Sequence, residues 1–156
     1  MKNLERGTTT VEFAIVATTL FIVLFGVLEI GRALFVWNTL GEATRRGARL
    51  AAVCPPNHAA VREVTVFGPP GGGDASPILK GLTTANVTLA YLDDAGNDTG
   101  GTFPISFVQV GISNYQHTLL IPFVMQTLTV PPFSTTLPAE SLGWIPDLGV
   151  RQCFGT

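Results

Sequence analysis

A single carboxylate, Glu12, lies just inside a long apolar stretch that begins within the segment RGTTTVEF, residues 6–13. A carboxylate that enters hydrocarbon is costly and usually has both a cationic partner and a function. The interaction expected at this position is therefore an ion pair between the Glu12 carboxylate and a cation. The alternative is that the side chain reaches back to the aqueous interface and pairs with nothing.

Residue types that carry catalysis or bind metals do not occur in recognisable patterns. Neither G-x-S-x-G nor H-E-x-x-H is present, and His58 and His117 have no metal-ligand spacing with the two cysteines. The segment DDAGNDTGG, residues 93–101, is rich in oxygen donors, but its spacing differs from that of a calcium loop and predicts a solvated hairpin turn. We therefore expect no metal, no cofactor and no enzymatic activity, and we expect both histidines to be surface or sheet residues.

The two cysteines, Cys54 and Cys153, bracket the whole region that follows the apolar stretch. Two cysteines cannot make a four-ligand zinc site. If this region is exported, a disulfide between them is the expected outcome, and in the chain-entropy model it would stabilise the fold by roughly 4–5 kcal/mol. The alternative is a pair of unlinked small hydrophobic residues.

The composition favours a membrane or a packed assembly. Hydrophobic residues make up 46% of the chain and charged residues 13%, whereas soluble domains carry about 25% charged residues. The net charge of -2 gives no electrostatic basis for binding nucleic acid.

The apolar stretch predicts a membrane-spanning helix. Residues 13–28 carry no charge, and the stretch from Thr8 to Trp37 reaches the roughly 20 residues that a bilayer requires. Glu29 and Arg32 are three residues apart, so they can pair near the far interface, where Trp37 fits an anchor. Lys2 and Arg6 favour a cytoplasmic N-terminus. A cleaved secretory signal peptide is disfavoured because the apolar region is too long and lacks a small-x-small site.

The helix is predicted to continue beyond the membrane to about Val53, a length of about 65–70 Å from Thr8 at 1.5 Å per residue. Small and apolar residues recur at three-four spacing on one face of its second half, and Pro55-Pro56 ends it. The members of that face are Leu40, Ala43, Gly47, Leu50 and Ala51, whereas Glu42, Arg45, Arg46 and Arg49 lie elsewhere. The second half should therefore pack on a globular head.

The distal region reads as a small α+β head. Residues 57–68 predict a short helix with Asn57 as N-cap and Gly68 at its end, and residues 68–77 predict a loop. Alternation predicts an antiparallel pair of strands at 86–92 and 104–117 and a third strand around 125–130. Pro131-Pro132 and Pro138 predict irregular chain, and the stretch around Trp144 is expected to be ordered only by packing and by Cys153.

A basic leader, a glycine, a glutamate five residues later and then an apolar helix form the type IV prepilin pattern, here Gly7 and Glu12. The first 55 or so residues resemble the TadE-like pseudopilins of tight-adherence (Flp) pilus systems, and the segments that carry this resemblance are TVEFAIV, FGVLEIGRAL and RRGARLAAV. The head resembles that family more loosely, in the segments VREVTVFGPPGGG, ILKGLTTANVTL and VQVGISNYQH. The resemblance implies that a membrane aspartic peptidase cuts between Gly7 and Thr8. Cleavage would free an amine that is largely protonated at neutral pH, and this amine would pair with Glu12 of a neighbouring subunit.

The resulting prediction is an α+β fold, with a long N-terminal pilin-like helix packed on a small antiparallel sheet. Residues 1–7 are the expected leader, 8–54 the helix and 55–156 the exported head. The resemblance implies a minor pilin or pseudopilin with a role in initiating or capping a pilus. Its partners would be other pilin subunits, the prepilin peptidase, the assembly machinery and the inner membrane, and its final location the pilus or cell surface. The alternatives are an uncleaved single-pass anchor for an envelope binding module and a membrane-tethered enzyme.

Overall fold

The computed structural model describes residues 5–119 and 127–153. One helix, α1 (Glu5–Val53), precedes a small head that contains the helix α2 (Ala59–Thr65) and a 3₁₀ turn (Thr84–Asn86). The strands are β1 (Val87–Leu92), β2 (Phe107–Ile112), β3 (Gln116–Thr118), β4 (Thr127–Thr129), β5 (Phe133–Pro138), β6 (Trp144–Ile145) and β7 (Val150–Arg151). The predicted α+β arrangement, a long apolar helix packed on a small antiparallel sheet, is confirmed.

Three strands form the central sheet in the order β1-β2-β5, with both neighbouring pairs antiparallel. Leu89 lies opposite Val110, and Val110 lies opposite Thr135. The predicted strand at 86–92 and its antiparallel pairing with the next strand are therefore confirmed. The buried side chains of this sheet, among them Val108, Val110 and Ile112, face the helices.

The predicted strand at 104–117 is divided into β2 and β3. Asn114 adopts a φ of 58°, in the left-handed region that asparagine tolerates better than most residues. The chain leaves the central sheet there, and β3 forms a separate two-stranded sheet with β4. β4 lies within the predicted strand at 125–130, of which residues 125 and 126 fall outside the described residues.

The prediction of irregular chain around the prolines was wrong for β5. This strand forms an edge of the central sheet between Pro132 and Pro138. Proline is tolerated at an edge because a nitrogen that points away from the neighbouring strand makes no ladder hydrogen bond. Pro138 is such a residue: Ala139 N donates to Ser106 O at 2.9 Å, which places the nitrogen of Pro138 on the other side of the strand.

The cap of α2 is displaced from its predicted position. His58 is the N-cap, and its Nδ1 accepts a hydrogen bond from Ala60 N at 3.2 Å. Asn57 instead adopts a φ of 61°, so the prediction of Asn57 as N-cap was wrong by one residue. The left-handed position at the other end is Phe67, with a φ of 66°, rather than Gly68.

The second half of α1 packs on α2 and on the inner face of the sheet, as the periodicity predicted. Leu40, Ala43 and Ala51 are buried, Gly47 is buried beside Val110, and Leu50 is half-buried. The charged residues of this half lie on the exposed side. The main buried residues of the core are Val36, Leu40, Ala43, Ala48, Ala51, Val61, Val66, Leu82, Val87, Tyr91, Val108, Val110 and Ile112.

The C-terminal part of the head returns to the end of α1. Glu140 N and Leu142 N both donate to Ala52 O, at 3.1 and 3.3 Å. Beyond them, β6 and β7 form a short hairpin, and Cys153 is joined to Cys54 by a disulfide with a Cα–Cα distance of 4.9 Å. The structure thus contains the predicted cysteine pairing, one residue beyond the end of α1.

Candidate assembly interface

The first half of α1 exposes large apolar side chains on all sides. Consecutive residues share this exposure, so it covers the circumference of the helix rather than one stripe. The exposed set between residues 11 and 35 is Val11, Phe13, Ile15, Val16, Leu20, Phe21, Ile22, Val23, Leu24, Phe25, Val27, Leu28, Ile30, Leu34 and Phe35. A helix that is apolar all round belongs in a membrane or in the interior of an assembly. By length and composition, Thr8–Val53 is able to cross a membrane.

Hydroxyl groups in this half of α1 are satisfied by the helix itself. Thr18 Oγ1 donates to Ala14 O at 2.7 Å, and Thr19 Oγ1 donates to Ile15 O at 3.0 Å. Such bonds to the preceding turn satisfy the hydroxyl without water. These polar residues are therefore compatible with an apolar environment.

The predicted site residues lie at two distant places. Gly7, Thr8 and Glu12 share the first turns of α1, whereas Cys54 and Cys153 meet at its other end. At 1.5 Å per residue, Glu12 and Cys54 are about 60 Å apart along the helix. The first group is the one predicted for processing and assembly. The second links the end of α1 to the C-terminal part of the head.

Glu12 is exposed on the surface of α1. Its carboxylate forms no hydrogen bond or ion pair with any residue in the ranges 8–119 and 127–153, where the structure describes the side chains. Its neighbours Val11 and Phe13 are 60% and 72% exposed. If lipid or other helices cover these neighbours, the carboxylate needs a cation from outside this chain.

A second carboxylate, Glu29, is buried where the apolar half of α1 meets the head. Arg32 Nη1 donates to both of its oxygens, at 3.0 and 2.9 Å, which confirms the predicted pairing three residues apart. His117 Nε2, from β3, lies 3.1 Å from Glu29 Oε1. The site thus joins the helix to the β3–β4 sheet by charged and polar contacts rather than by apolar packing alone.

The contact between Glu29 and His117 was not predicted. The two residues are 88 positions apart, and no local pattern links them. One signal was present: Glu29 is seven residues before Val36, so it lies on the same face of α1 as the buried stripe. His117 is a strand residue, as expected, but it is buried rather than on the surface.

The other polar residues considered from sequence have local structural roles. The Asp93 carboxylate accepts hydrogen bonds from Ala95 N at 2.9 Å and Asn97 N at 2.8 Å. Hydrogen bonds from Asn97, followed by those from Ala95 and Gly96, lower the pKa of Asp93 below its usual value. This segment is a turn stabilised by its own side chain. Among the described residues, no group of three or more His, Cys, Asp or Glu side chains could hold a metal ion.

Comparison with known proteins finds a family match within α1. Residues 7–49 match the model of a family described as TadE-like protein. The match begins at Gly7 and ends within α1, so the TadE-like resemblance is confirmed over this helix, while the head segments lie outside the matched residues. No curated protein and no solved structure matches the chain.

Proposed function

We propose that this chain is a minor pilin or pseudopilin of a Tad/Flp-type pilus, which assembles through α1 and has a role in initiating or capping the pilus. The observation that carries the proposal is the exposed apolar half of α1, with the carboxylate of Glu12 exposed on it. This half lies inside the TadE-like match. The chain acts by packing against other subunits, and it is a substrate of its peptidase rather than an enzyme.

In this proposal the precursor is anchored in the bacterial inner membrane with its head exported. The prepilin peptidase cuts between Gly7 and Thr8, which lie in the first turns of α1. Gly7 weakens the helix at the cleavage position, because glycine costs an α-helix about 1 kcal/mol relative to alanine.

The assembly step would pair Glu12 with the new amine on Thr8 of a neighbouring subunit. Two opposite charges in a low-dielectric environment attract strongly, and either charge alone there is costly. The pair would therefore select one axial offset between neighbouring helices. Offsets that separate the two charges would leave both without a partner.

Intact-mass measurement tests the processing step. Protein made together with its native peptidase and pilus machinery should lack residues 1–7, whereas protein made without the peptidase should retain them. A chain that keeps its first residues in both cases would contradict the proposal and favour a permanent anchor.

Substitution of Glu12 tests the assembly step. Glu12→Ala should be cleaved normally but should enter pili roughly tenfold less or worse, since loss of one partner strands the other charge. Glu42→Ala is the matched control, because Glu42 is an exposed carboxylate on the other half of the same helix; it should assemble normally. Normal incorporation of Glu12→Ala would rule out the pairing.

A second candidate function is an uncleaved membrane-anchored binding module of the envelope. The observation in its favour is a groove of about 410 Å³ on the head, lined by Phe103, Ile105, Trp144, Arg151 and neighbouring residues. The Arg151 guanidinium lies 4.2 Å from the ring centroid of Phe103. The intact-mass measurement separates this candidate from the first, because an anchored module keeps its leader.

A further inference from the structure

The two edges of the central sheet differ in how their backbone groups are satisfied. At the β1 edge, Arg62 Nη1 donates to Val87 O at 3.0 Å. Thr99 N donates to Tyr91 O at 2.7 Å, and Tyr91 N donates to Asp98 Oδ1 at 3.3 Å. The chain itself therefore covers this edge along most of its length.

The β5 edge is open. Residues of an antiparallel pair alternate between those that bond to the neighbouring strand and those that face away. The bond from Ala139 N to Ser106 O fixes this alternation, so the N–H and C=O groups of Ser134 and Thr136 face away from β2. Within residues 5–119 and 127–153, these groups have no backbone partner.

Prolines confine the open edge to a short segment. Pro138 occupies the outward-facing position that follows Thr136, and Pro132 lies directly before the strand; neither supplies an N–H group. Proline at a strand edge limits indiscriminate pairing. The edge can therefore accept a few hydrogen bonds from one short strand, rather than template a long sheet.

A groove runs between this edge and α1. The rings of Trp37 and Phe133 meet edge to face with a centroid distance of 4.8 Å, and Thr44 Oγ1 lies 2.9 Å from Thr135 Oγ1. A Cβ added at Gly41 would meet nothing within 4 Å, so the groove is open there. Its volume is about 260 Å³, and it is lined by Trp37, Asn38, Gly41, Thr44, Arg45, Phe133, Ser134 and Thr135.

The groove is bordered by the positive charge of Arg45, which is exposed and accessible to a partner. The side chain of Arg45 is 65% exposed, and its distance to the Glu42 carboxylate is 3.8 Å. An exposed pair at this distance contributes little, so a closer carboxylate could replace it. Trp37, at the other end of the groove, is 49% exposed and presents an apolar face.

We propose that β5 accepts an extended segment of another polypeptide as a fourth strand of the sheet. Backbone groups of Ser134 and Thr136 supply the hydrogen bonds, and the groove receives alternate side chains of the added strand. Residues opposite Phe133 and Thr135 face the groove and are two positions apart. The partner segment therefore carries an apolar side chain beside Trp37 and, two residues away, an acidic one beside Arg45.

Neither edge strand of the central sheet of a second copy fits this edge, and we take the partner to be a different chain. β5 runs in the same direction as α1, because Phe133 contacts Trp37, Thr135 contacts Thr44 and Glu140 bonds to Ala52. Two β5 strands paired antiparallel are related by a two-fold axis perpendicular to the sheet, which would reverse α1 of the second copy. Two copies anchored in one membrane cannot pair in that way, and a parallel pairing of β5 with β1 meets the covered edge.

Selection from a displayed library of short random peptides tests this proposal, with the full chain held in lipid nanodiscs. Enriched peptides should carry an aromatic or large aliphatic residue two positions from an acidic one. On binding, they should slow amide hydrogen exchange at Ser134 and Thr136. Failure to select such peptides, or protection elsewhere on the head, would overturn the proposal.

Variants of the edge separate backbone pairing from other modes of binding. Thr136→Pro removes an outward N–H and should weaken the selected peptides roughly tenfold, whereas Thr136→Val keeps that N–H and should bind as the parent does. Gly41→Phe places a ring at a position of the groove where a Cβ meets nothing within 4 Å, and it should also weaken binding. Circular dichroism controls for folding, and equal binding by the parent, Thr136→Pro and Gly41→Phe would contradict the proposal. None of these readouts depends on leader cleavage or pilus assembly.

Discussion

The buried carboxylate of Glu29 lies 3.1 Å from Nε2 of His117 and also accepts hydrogen bonds from Arg32. An ionised carboxylate can only accept, so the Nε2 of His117 must carry the hydrogen. Three polar groups thus satisfy one another where α1 passes from its exposed apolar half to the head. The β3–β4 sheet is held against the helix at this point.

Removal of this carboxylate should loosen the β3–β4 sheet. Glu29→Ala strands the Arg32 and His117 donors, so we expect the free energy of unfolding of the head to fall by about 1–3 kcal/mol and amide exchange in β3 to accelerate. Denaturant titration in detergent and hydrogen exchange measure these effects. In the control Glu42→Ala, which breaks an exposed pair, the change should stay below about 0.5 kcal/mol; equal effects of the two substitutions would refute the structural role of the buried cluster.

Two glycines of α1 should respond in opposite ways to alanine. A Cβ at Gly47 would overlap Thr65 Oγ1 and press on Val110, whereas one at Gly41 meets open space. Gly47→Ala should therefore destabilise the head by about 1–3 kcal/mol through overpacking. Gly41→Ala should stabilise it by about 0.5–1 kcal/mol through helix propensity. Thermal unfolding compares the two, and a stabilising effect of Gly47→Ala would show that α1 does not pack closely on α2.

Loss of the disulfide should lower the stability of the head substantially. The bond joins residues 99 positions apart, and a loop of that length predicts a loss of roughly 4–5 kcal/mol when it is opened. The double variant Cys54→Ser/Cys153→Ser should unfold at a lower denaturant concentration than the oxidised parent. Reductant should destabilise the parent and leave the double variant unchanged. A parent that is insensitive to reductant would contradict a stabilising role for the bond.

Tyr91 should make stability fall at alkaline pH. Burial raises the pKa of its phenol, although the hydrogen bond from Asn57 N and the charge of Arg62 act in the opposite direction. In the unfolded chain the pKa is about 10, so above that pH the unfolded state binds fewer protons and the free energy of unfolding falls as pH rises. Tyr91→Phe should reduce this slope, which denaturant titrations from neutral to alkaline pH measure. An unchanged slope would show that the phenol of Tyr91 is not the group responsible.

Local sequence signals were sufficient for α1 and for the first strand pair. The apolar stretch, the three-four spacing around Leu40 and the proline stop after Val53 each act over a few residues, and the structure follows them. The pairing of Glu29 with Arg32 is equally local. The match to the TadE-like family falls within this same part of the chain.

The remaining features depend on contacts between distant segments. β5 forms between prolines because it lies at the edge of the sheet, where the missing N–H of Pro138 removes no hydrogen bond to β2. Sequence alone does not show which strand is an edge. The burial of His117 depends on Glu29, which is 88 residues away. The division of the second predicted strand depends on a single residue, Asn114, and its left-handed conformation.

The disulfide between Cys54 and Cys153 determines the path that a pulling force takes through the head. A pull on the β6–β7 hairpin passes through one covalent bond into the end of α1, so it bypasses the hydrogen-bonded ladder of β1, β2 and β5. The central sheet is therefore shielded from shear. A force applied to this hairpin would reach α1 without separating the strands of the central sheet.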